Sequence, residues 1–361
     1  MTGSRFAALA LSLLLAACAS TAPLPAPPPG PSAPVPPTTP VPLPAGALGP
    51  ETLPGWDQEN HLAAFDAYID GCRAAREPAA QAQCARAMEL RRTSRPVTPS
   101  AARRFFETGF TVVAAETADG APGLLTSYFA PEYQARRERT REFDAPVLAR
   151  PRTTGALPDR AAIEAGAVEA ETLAWMRAED LFFLQIQGSG YLTFEDGGRG
   201  RAAYAADNGH RFVGIARPMA DRGLLPANGT SGEAIRAWLA AHRGAEARAV
   251  MALNPRYIFF RLDPDDGGHS AGAAGVPLTP RRAIAVDPAS WKYGDLVWIE
   301  ADAGNLRGAR SGYRGLVMAL DTGSAIRGPV RADLYMGRGD AAGAEAGTVR
   351  HPLRMWRLVP R

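Results

Sequence analysis

Two aspartates, Asp321 and Asp333, stand twelve positions apart in the glycine-containing stretch Leu320–Gly337. In the second half of this stretch, apolar and polar residues alternate. A period of two predicts a strand that carries Asp333 on the face opposite the apolar side chains, together with Arg331 and Tyr335. Aspartate is depleted in strands, so this position calls for an explanation. It is either an ion pair on an exposed sheet face or a carboxyl group positioned for acid–base chemistry on a polar polymer.

The elements around this stretch change character along the chain. Helical spacing of apolar residues predicts helices within Trp56–Arg92 and over Ala101–Glu107, and again over Arg160–Ala174. The apolar run Asp180–Gln187 is interpreted as a strand. From residue 257 onward, short strands alternate with Gly and Pro turns, a pattern typical of a small barrel or sandwich.

The N-terminus resembles an export signal. A short region with Arg5 precedes the apolar run Phe6–Ala17, which ends at Cys18 in a sequence that resembles a bacterial lipobox. This predicts a signal peptide at residues 1–17 and a lipidated Cys18 as membrane anchor. Ala and Ser after the cysteine, by resemblance to enteric-type lipoproteins, favour the outer membrane facing the periplasm. The alternative is an ordinary secretory signal with an incidental cysteine.

A proline-rich segment follows the predicted anchor. Residues 23–44 contain twelve prolines, so polyproline II is the expected state and residues 18–46 are interpreted as a semi-rigid linker. About 315 residues then remain, roughly enough for two packed domains. The other cysteines, Cys72 and Cys84, flank a turn implied by Glu77-Pro78. In an oxidising periplasm they predict a disulfide, with buried free thiols as the alternative.

Charge and motif spacing exclude several classes of protein. The formal net charge is only +3, with 40 basic and 37 acidic residues and no Lys/Arg block, so nucleic-acid binding is not expected. The five histidines have no metal-ligand spacing, and neither a metal nor a cofactor is predicted. The serine of residues 187–190 (QGSG) lacks the glycine two positions before it that a nucleophile elbow requires. Residues 337–343 do not fit the dinucleotide fingerprint. Carboxylate chemistry remains, and it suits the cleavage of glycosidic bonds.

Four segments, read together, resemble the membrane-bound lytic transglycosylase A (MltA) family. They are residues 127–136 (SYFAPEYQAR), 183–191 (FLQIQGSGY), 275–280 with 284–288 (GVPLTP and IAVDP) and 320–337 (LDTGSAIRGPVRADLYMG). The resemblance extends from about residue 50 to the C-terminus. It implies a mainly β fold with N-terminal helices, in which a double-psi β-barrel of the barwin/endoglucanase type faces an inserted β-rich domain across a groove. The implied ranges are 47–130 and 250–361 for the helices and barrel, and 131–249 for the inserted substrate-binding domain.

The resemblance also implies an activity. Members of the family cleave the β-1,4 bond between N-acetylmuramic acid and N-acetylglucosamine and close a 1,6-anhydro ring, which makes them carbon–oxygen lyases. Asp333 matches the catalytic acid, whereas Asp321 and Asp287 match supporting positions. The expected partners are peptidoglycan glycan strands and a membrane reached through the lipid anchor, with a monomer as the default state.

Roles in substrate binding are expected on both sides of the groove. In the inserted domain, Gln187 and Ser189 are candidates to hydrogen-bond sugar groups, with Gly188 between them. Tyr128 is a candidate to stack on a sugar, and Arg331 and Tyr335 border the groove beside Asp333. The alternatives are a tight turn for the glycine, a core position for Tyr128 and a surface ion pair for Arg331. Two rival functions stay open: a non-catalytic wall-binding barrel, and a hydrolase that uses the same acid with water.

Overall fold

The computed structural model describes residues 48–152, 155–226 and 231–361 of the 361-residue chain. The predicted signal peptide, Cys18 and the whole of the proline-rich linker's predicted range, 18–46, precede this part, so these predictions lie outside the described residues. Within the described ranges, no helix is both long enough and apolar enough to cross a membrane.

Helices form the N-terminal part of the described chain and much of its middle. Side-chain caps begin four of them. For example, the Asn60 side chain accepts a hydrogen bond from the Ala63 N–H at 3.1 Å, and the Thr98 hydroxyl accepts one from the Ala101 N–H at 3.2 Å. These caps satisfy N–H groups that have no partner within a helix. Among the described residues the α-helices are α1 (His61–Gly71), α2 (Pro78–Thr93), α3 (Pro99–Gly109), α4 (Arg160–Glu164), α5 (Ala178–Gln187), α6 (Ala216–Asp221), α7 (Gly232–Ala241), α8 (Ala245–Met251) and α9 (Gly339–Ala346).

The alternation expected around Asp333 is present in its strand. Ala332 and Leu334 are buried, whereas Arg331 and Asp333 keep part of their surface exposed. The strands of the described residues are β1 (Phe110–Ala115), β2 (Gly123–Ala130), β3 (Glu132–Gln134), β4 (Ala145–Leu148), β5 (Thr172–Met176), β6 (Gly190–Thr193), β7 (Arg199–Asp207), β8 (Ile258–Pro264), β9 (Ala283–Ala285), β10 (Leu296–Asp302), β11 (Gly312–Asp321), β12 (Arg331–Arg338) and β13 (His351–Pro360).

A closed barrel carries the Asp333 strand. Within the described residues its strand order is β13-β10-β11-β9-β12-β2, and the ring closes because β2 also pairs with β13. Strand β1 pairs with the C-terminal half of β13, along the same edge as β2. Two pairings are parallel, β11 with β9 and β12 with β2. Buried side chains of these strands, among them Val297, Ala319 and Leu334, form its core. The predicted fold class, a mainly β barrel protein with N-terminal helices, is confirmed; the double-psi connection stays a prediction.

The N-terminal helices pack on the barrel, as predicted. Gly71 of α1 lies so close to the barrel that a Cβ atom there would come within 3.0 Å of Leu320. Trp56, ahead of α1, packs against Trp298 of β10 with ring centroids 5.4 Å apart. Cys72 and Cys84 form a disulfide. This bond joins the end of α1 to α2, so the two helices are linked covalently where they pack together.

A second body of β-structure follows β2 in the chain. Its main sheet has the order β3-β6-β7-β8, and β4 pairs with β5 beside it. Helices α5, α7 and α8 pack together through a separate cluster of buried residues, including Phe182, Leu239 and Met251. Strand β8 lies in this sheet although it comes after residue 249, where the predicted insert ends. It belongs there because it pairs with β7 along seven registered positions. The assignment of 131–249 as an independent domain stays a prediction.

The segment Asp180–Gln187 is helical, and its prediction as a strand was wrong. It forms most of α5, which packs between two clusters of buried side chains, with Leu184 on one side and Phe182 on the other. A helix buried on several sides has no clear amphipathic period, so its apolar run resembles a buried strand. Glu179 and Asp180 in its first turn favour the helix through its dipole.

The helix predicted over Arg160–Ala174 is also shorter than expected. It ends after one turn and a half at Glu164, and Gly166 follows with φ of +90°. A positive φ in this region favours glycine and stops helix propagation. The remaining residues lead into β5, which begins at Thr172 and pairs antiparallel with β4.

Candidate active site

A cleft of about 330 Å³ opens between the barrel and the second sheet, and Asp333 lies in its barrel wall. The parallel register of β12 and β2 decides which side chains stand beside it. Asp333 is opposite Thr126, and Tyr335 is opposite Tyr128. The next strand, β9, brings Ala285 to the other side of Asp333. The groove predicted between the two β-rich parts is therefore present, and Asp333 faces it.

The carboxyl group of Asp333 is held by a residue that the sequence did not single out. The Thr126 hydroxyl donates a hydrogen bond to Oδ1 of Asp333. Arg331 in turn donates from Nη2 to the Thr126 hydroxyl at 2.8 Å, and from Nη1 to the Ala332 carbonyl at 2.5 Å. Among the described residues, no carboxylate lies within ion-pair distance of Arg331, so the surface ion pair considered for it is absent there.

The surroundings of Asp333 favour its protonated form. Burial raises the pKa of Asp333 above its ordinary value, because the charged form loses contact with water. The hydrogen bond from Thr126 and the positive charge of Arg331 oppose this rise, whereas the negative charge of Asp321 adds to it. The result is a carboxyl group that can hold a proton at a higher pH than a free aspartate.

Asp321 stands nearby and accepts three hydrogen bonds. Its Oδ2 accepts from the Tyr128 hydroxyl at 2.7 Å, and its Oδ1 accepts from the N–H groups of Ala273 and Thr322, each at 2.9 Å. Burial raises the pKa of Asp321, and these hydrogen bonds oppose the rise by stabilising the carboxylate. The Tyr128 ring packs against Tyr335 at 5.3 Å between centroids. The carboxylate of Asp321 is thus held by three hydrogen-bond donors, and its negative charge lies beside Asp333.

Asp287 supports a loop. Its carboxylate accepts hydrogen bonds from the N–H groups of Gly328 at 2.7 Å and Ala289 at 3.1 Å, and Arg327 approaches it at 3.4 Å. The hydrogen bond from Gly328 is the main cause of its lowered pKa. Asp287 is not part of the cleft lining, but the loop it holds, residues 322–329, contributes part of the wall.

The predicted substrate-binding residues separate into two groups. Four of them line the cleft: Tyr128, Gln187, Gly188 and Arg331. Gln187 also accepts a hydrogen bond from the Phe129 N–H at 3.3 Å, which ties the end of α5 to β2. Gly188 ends α5 with φ of +83°, and an added Cβ would meet no atom within 4 Å. Ser189 and Tyr335 are not among the lining residues, and Tyr335 is buried behind Tyr128.

The far wall of the cleft contains residues that sequence reasoning missed. Tyr204 and Phe212 line it, and Tyr204 is 44% exposed, which leaves an aromatic face open to a ligand. Arg256 and Asp207 hold this region by an ion pair of 2.7 Å. No local motif marks these residues. Tyr204 lies in β7, Phe212 in the segment after it and Arg256 just before β8, so they come together only in the folded chain.

The cleft as a whole offers one carboxyl group for proton transfer. Among its described lining residues the acids are Asp321 and Asp333, and Asp321 already accepts three hydrogen bonds. No group of three or more His, Cys, Asp or Glu side chains in the described residues is arranged to hold a metal ion. The arrangement therefore suits proton donation by Asp333 to a polar ligand that lies between two walls of polar and aromatic side chains.

Comparisons with known proteins place this barrel and its cleft in a family. The chain matches the sequence model of the MltA specific insert domain over residues 124–261 and that of the 3D domain over residues 282–359. It is 37% identical over 239 residues to the membrane-bound lytic murein transglycosylase A of Escherichia coli (strain K12). That alignment covers 65% of this chain and 65% of the length of the relative.

Solved structures agree over a larger part of the chain. The crystal structure of MltA from Neisseria gonorrhoeae in its monoclinic form matches with a TM-score of 0.75 and 28% identity, over 87% of this chain and 92% of the other. Escherichia coli MltA with bound chitohexaose matches with a TM-score of 0.70 and 30% identity, over 84% and 90%. The chain belongs to the MltA family, and its predicted family membership is confirmed.

Proposed function

We propose that this protein is a lytic transglycosylase that cleaves the β-1,4 bond between N-acetylmuramic acid and N-acetylglucosamine in peptidoglycan and leaves 1,6-anhydromuropeptides. The observation that carries the proposal is Asp333, a cleft carboxyl group whose surroundings raise its pKa. The relative from Escherichia coli is named a lytic murein transglycosylase, and the structure of Escherichia coli MltA contains bound chitohexaose. Both names support a glycan as the ligand of this cleft.

The proposed reaction needs one carboxyl group. Protonated Asp333 donates its proton to the glycosidic oxygen as the bond to C1 of the muramic residue breaks and positive charge develops there. The resulting carboxylate then takes the proton of the C6 hydroxyl of the same residue, whose oxygen forms the new bond to C1. The proton returns to Asp333, and no water is consumed.

The nucleophile in this scheme belongs to the substrate. An intramolecular hydroxyl already has the proximity advantage that a bound water or an enzymic carboxylate would have to supply. A glycoside hydrolase uses a second carboxylate for that purpose. The cleft acid besides Asp333 is Asp321, which accepts three hydrogen bonds, and this favours the transglycosylase over the hydrolase.

The test is product analysis of purified sacculi by liquid chromatography and mass spectrometry. We expect the wild-type protein to release muropeptides with 1,6-anhydro ends, and Asp333→Asn to fold normally and release none. Asp302→Asn is the matched control, since Asp302 is an exposed aspartate at the end of β10. Reducing ends in place of anhydro ends would indicate a hydrolase. Binding of sacculi without any release would indicate a non-catalytic wall-binding protein.

The proposed location is the periplasmic face of the outer membrane, with Cys18 as the lipid anchor and a monomer as the working unit. The lipobox residues before Cys18 support the anchor, and the relative from Escherichia coli is named membrane-bound. Metabolic labelling with a fatty acid tests it. We expect label in the membrane fraction for the wild-type protein and none for Cys18→Ser, which should be released in soluble form.

A further inference from the structure

Thr126 has a hydrogen-bond arrangement with a fixed direction. Its hydroxyl accepts from Nη2 of Arg331 at 2.8 Å, and a guanidinium group can only donate. The hydroxyl therefore has its own proton left to give, and Oδ1 of Asp333 is its acceptor. Arg331 is itself fixed by the carbonyl groups of Ala332 at 2.5 Å and Leu124 at 3.4 Å. The three side chains form a chain of donors that ends on one oxygen of Asp333.

The strands hold this chain in place. Asp333 is registered opposite Thr126, and Arg331 is registered opposite Leu124, so the three polar side chains project from neighbouring positions of two paired parallel strands. Threonine is branched at Cβ and has few rotamers on a strand. The orientation of its hydroxyl is therefore set by the backbone and by Arg331 rather than by the ligand.

We propose that Thr126 is a positioning residue that determines which oxygen of Asp333 carries the catalytic proton. The proposal rests on the acid role of Asp333 in the proposed function. Because Oδ1 accepts the proton of Thr126, the proton of the carboxyl group resides on Oδ2. No hydrogen bond from the described residues reaches Oδ2. This oxygen is left for the substrate.

The proton balance of both half-reactions follows from this arrangement. In the first step, the O–H bond at Oδ2 breaks as the glycosidic oxygen gains the proton, and the new negative charge is shared with Oδ1, where Thr126 already donates. In the second step, Oδ2 takes the proton of the muramic C6 hydroxyl, and the carboxyl group returns to its first state. Thr126 keeps its own proton throughout, and Arg331 stabilises the intermediate carboxylate by its charge.

The proposal predicts the direction in which the pH dependence of activity shifts when the Thr126 hydroxyl is removed. The activity of a general acid is lost as the pH rises through its pKa. A hydrogen bond to the charged form lowers the pKa of Asp333, so removal of the Thr126 hydroxyl should move this loss to higher pH. The other charged or titratable groups near Asp333 are unchanged by the substitution; they are Arg331, Asp321, Tyr128 and, on the far wall of the cleft, Arg160 and Arg256.

The experiment compares Thr126→Val, which keeps the shape of the side chain, with Thr126→Ser, which keeps the hydroxyl. The measurement is kcat/KM against pH with soluble peptidoglycan glycan strands. We expect the alkaline limb of Thr126→Val to move up by about one pH unit and that of Thr126→Ser to stay at the wild-type position. An unmoved limb in an active, folded Thr126→Val, or an equal shift in Thr126→Ser, would overturn the proposal. Thr126→Ala carries the same expectation as Thr126→Val, should the valine fail to pack.

A direct titration separates this inference from the proposed function. The carboxyl carbon of Asp333 can be followed by NMR in ¹³C-aspartate-labelled protein and assigned by its absence in Asp333→Asn. We expect a higher pKa for Asp333 in Thr126→Val than in the wild-type protein, and an equal pKa would overturn the inference. This titration does not depend on the reaction product, so the pKa of Asp333 can be interpreted even if the proposed function fails its own test.

Discussion

Arg338 and Asp265 are joined by two parallel hydrogen bonds of 2.9 and 2.7 Å, at the point where the chain returns from the second sheet to the barrel. Arg338 is the last residue of β12, the strand that carries Asp333. It also pairs with Glu132, at the point where the chain first leaves the barrel, and its guanidinium group lies 3.5 Å from the ring centroid of Tyr191. The Arg338 side chain therefore links the strand of the candidate acid to both segments in which the chain passes between the barrel and the second sheet.

The first prediction concerns the stability contributed by Arg338. Its side chain is 15% exposed and that of Asp265 only 4%, so Arg338→Met leaves a nearly buried carboxylate with only the half-exposed Arg199, at 3.2 Å, as its ion-pair partner among the described residues. We expect a loss of about 2 kcal/mol in the free energy of unfolding, measured by urea denaturation, because two charge-assisted hydrogen bonds are lost. Arg92→Met is the control, because the Arg92–Glu89 pair is exposed and screened by solvent, so its loss should change the free energy of unfolding little. Equal losses of unfolding free energy in the two variants would show that the Arg338–Asp265 pair contributes no more than an exposed surface pair.

The place of Asp333 on a strand could be predicted because the pattern that indicates it is local in the sequence. The alternation around Asp333 is a period of two within one strand, and the apolar half of the pattern, Ala332 and Leu334, is buried as expected. The position of Arg331 on the same strand face as Asp333, two residues away, could be anticipated from the same pattern. For Asp287, the sequence offered only its match to a supporting position in a family motif.

The rest of the site could not be predicted because its residues are distant in the chain. Thr126 is 207 positions from Asp333 and stands within a stretch of ordinary strand residues. Only the parallel pairing of β12 with β2 brings the two together. The same is true of Tyr204 and Phe212 on the far wall of the cleft, which are also far from Asp333 in the chain. The error in α5 has another cause: a helix buried on several sides loses the periodicity that distinguishes it from a buried strand.

The second prediction concerns the disulfide between Cys72 and Cys84. It closes a short loop between α1 and α2, with a sequence separation of 12. A loop of this size lowers the entropy of the unfolded chain by an amount worth about 3 kcal/mol in the chain-entropy account. We expect the double variant Cys72→Ser, Cys84→Ser to lose about 2–3 kcal/mol in the free energy of unfolding, with unchanged kcat/KM, since neither cysteine lines the cleft. An unfolding midpoint insensitive to the double substitution would contradict this expectation.

The third prediction concerns the charge of Asp321. Its carboxylate raises the pKa of Asp333, which keeps that acid protonated to higher pH. Asp321→Asn removes the charge and preserves the size of the side chain. The pKa of Asp333 should then fall, and the alkaline limb of kcat/KM should move to lower pH. This shift is opposite in sign to the one expected for Thr126→Val.

The two opposite shifts together give a sharp test of how Asp333 is tuned. Burial, the largest cause of the raised pKa of Asp333, is the same in both variants. Tyr128→Phe is the control for Asp321→Asn, because it removes a hydrogen bond to Asp321 and leaves the charge in place. The alkaline limb of kcat/KM for Tyr128→Phe should stay closer to the wild-type position than the limb for Asp321→Asn. If Asp321→Asn moved the limb upward, Asp321 would be acting on Asp333 through something other than its negative charge.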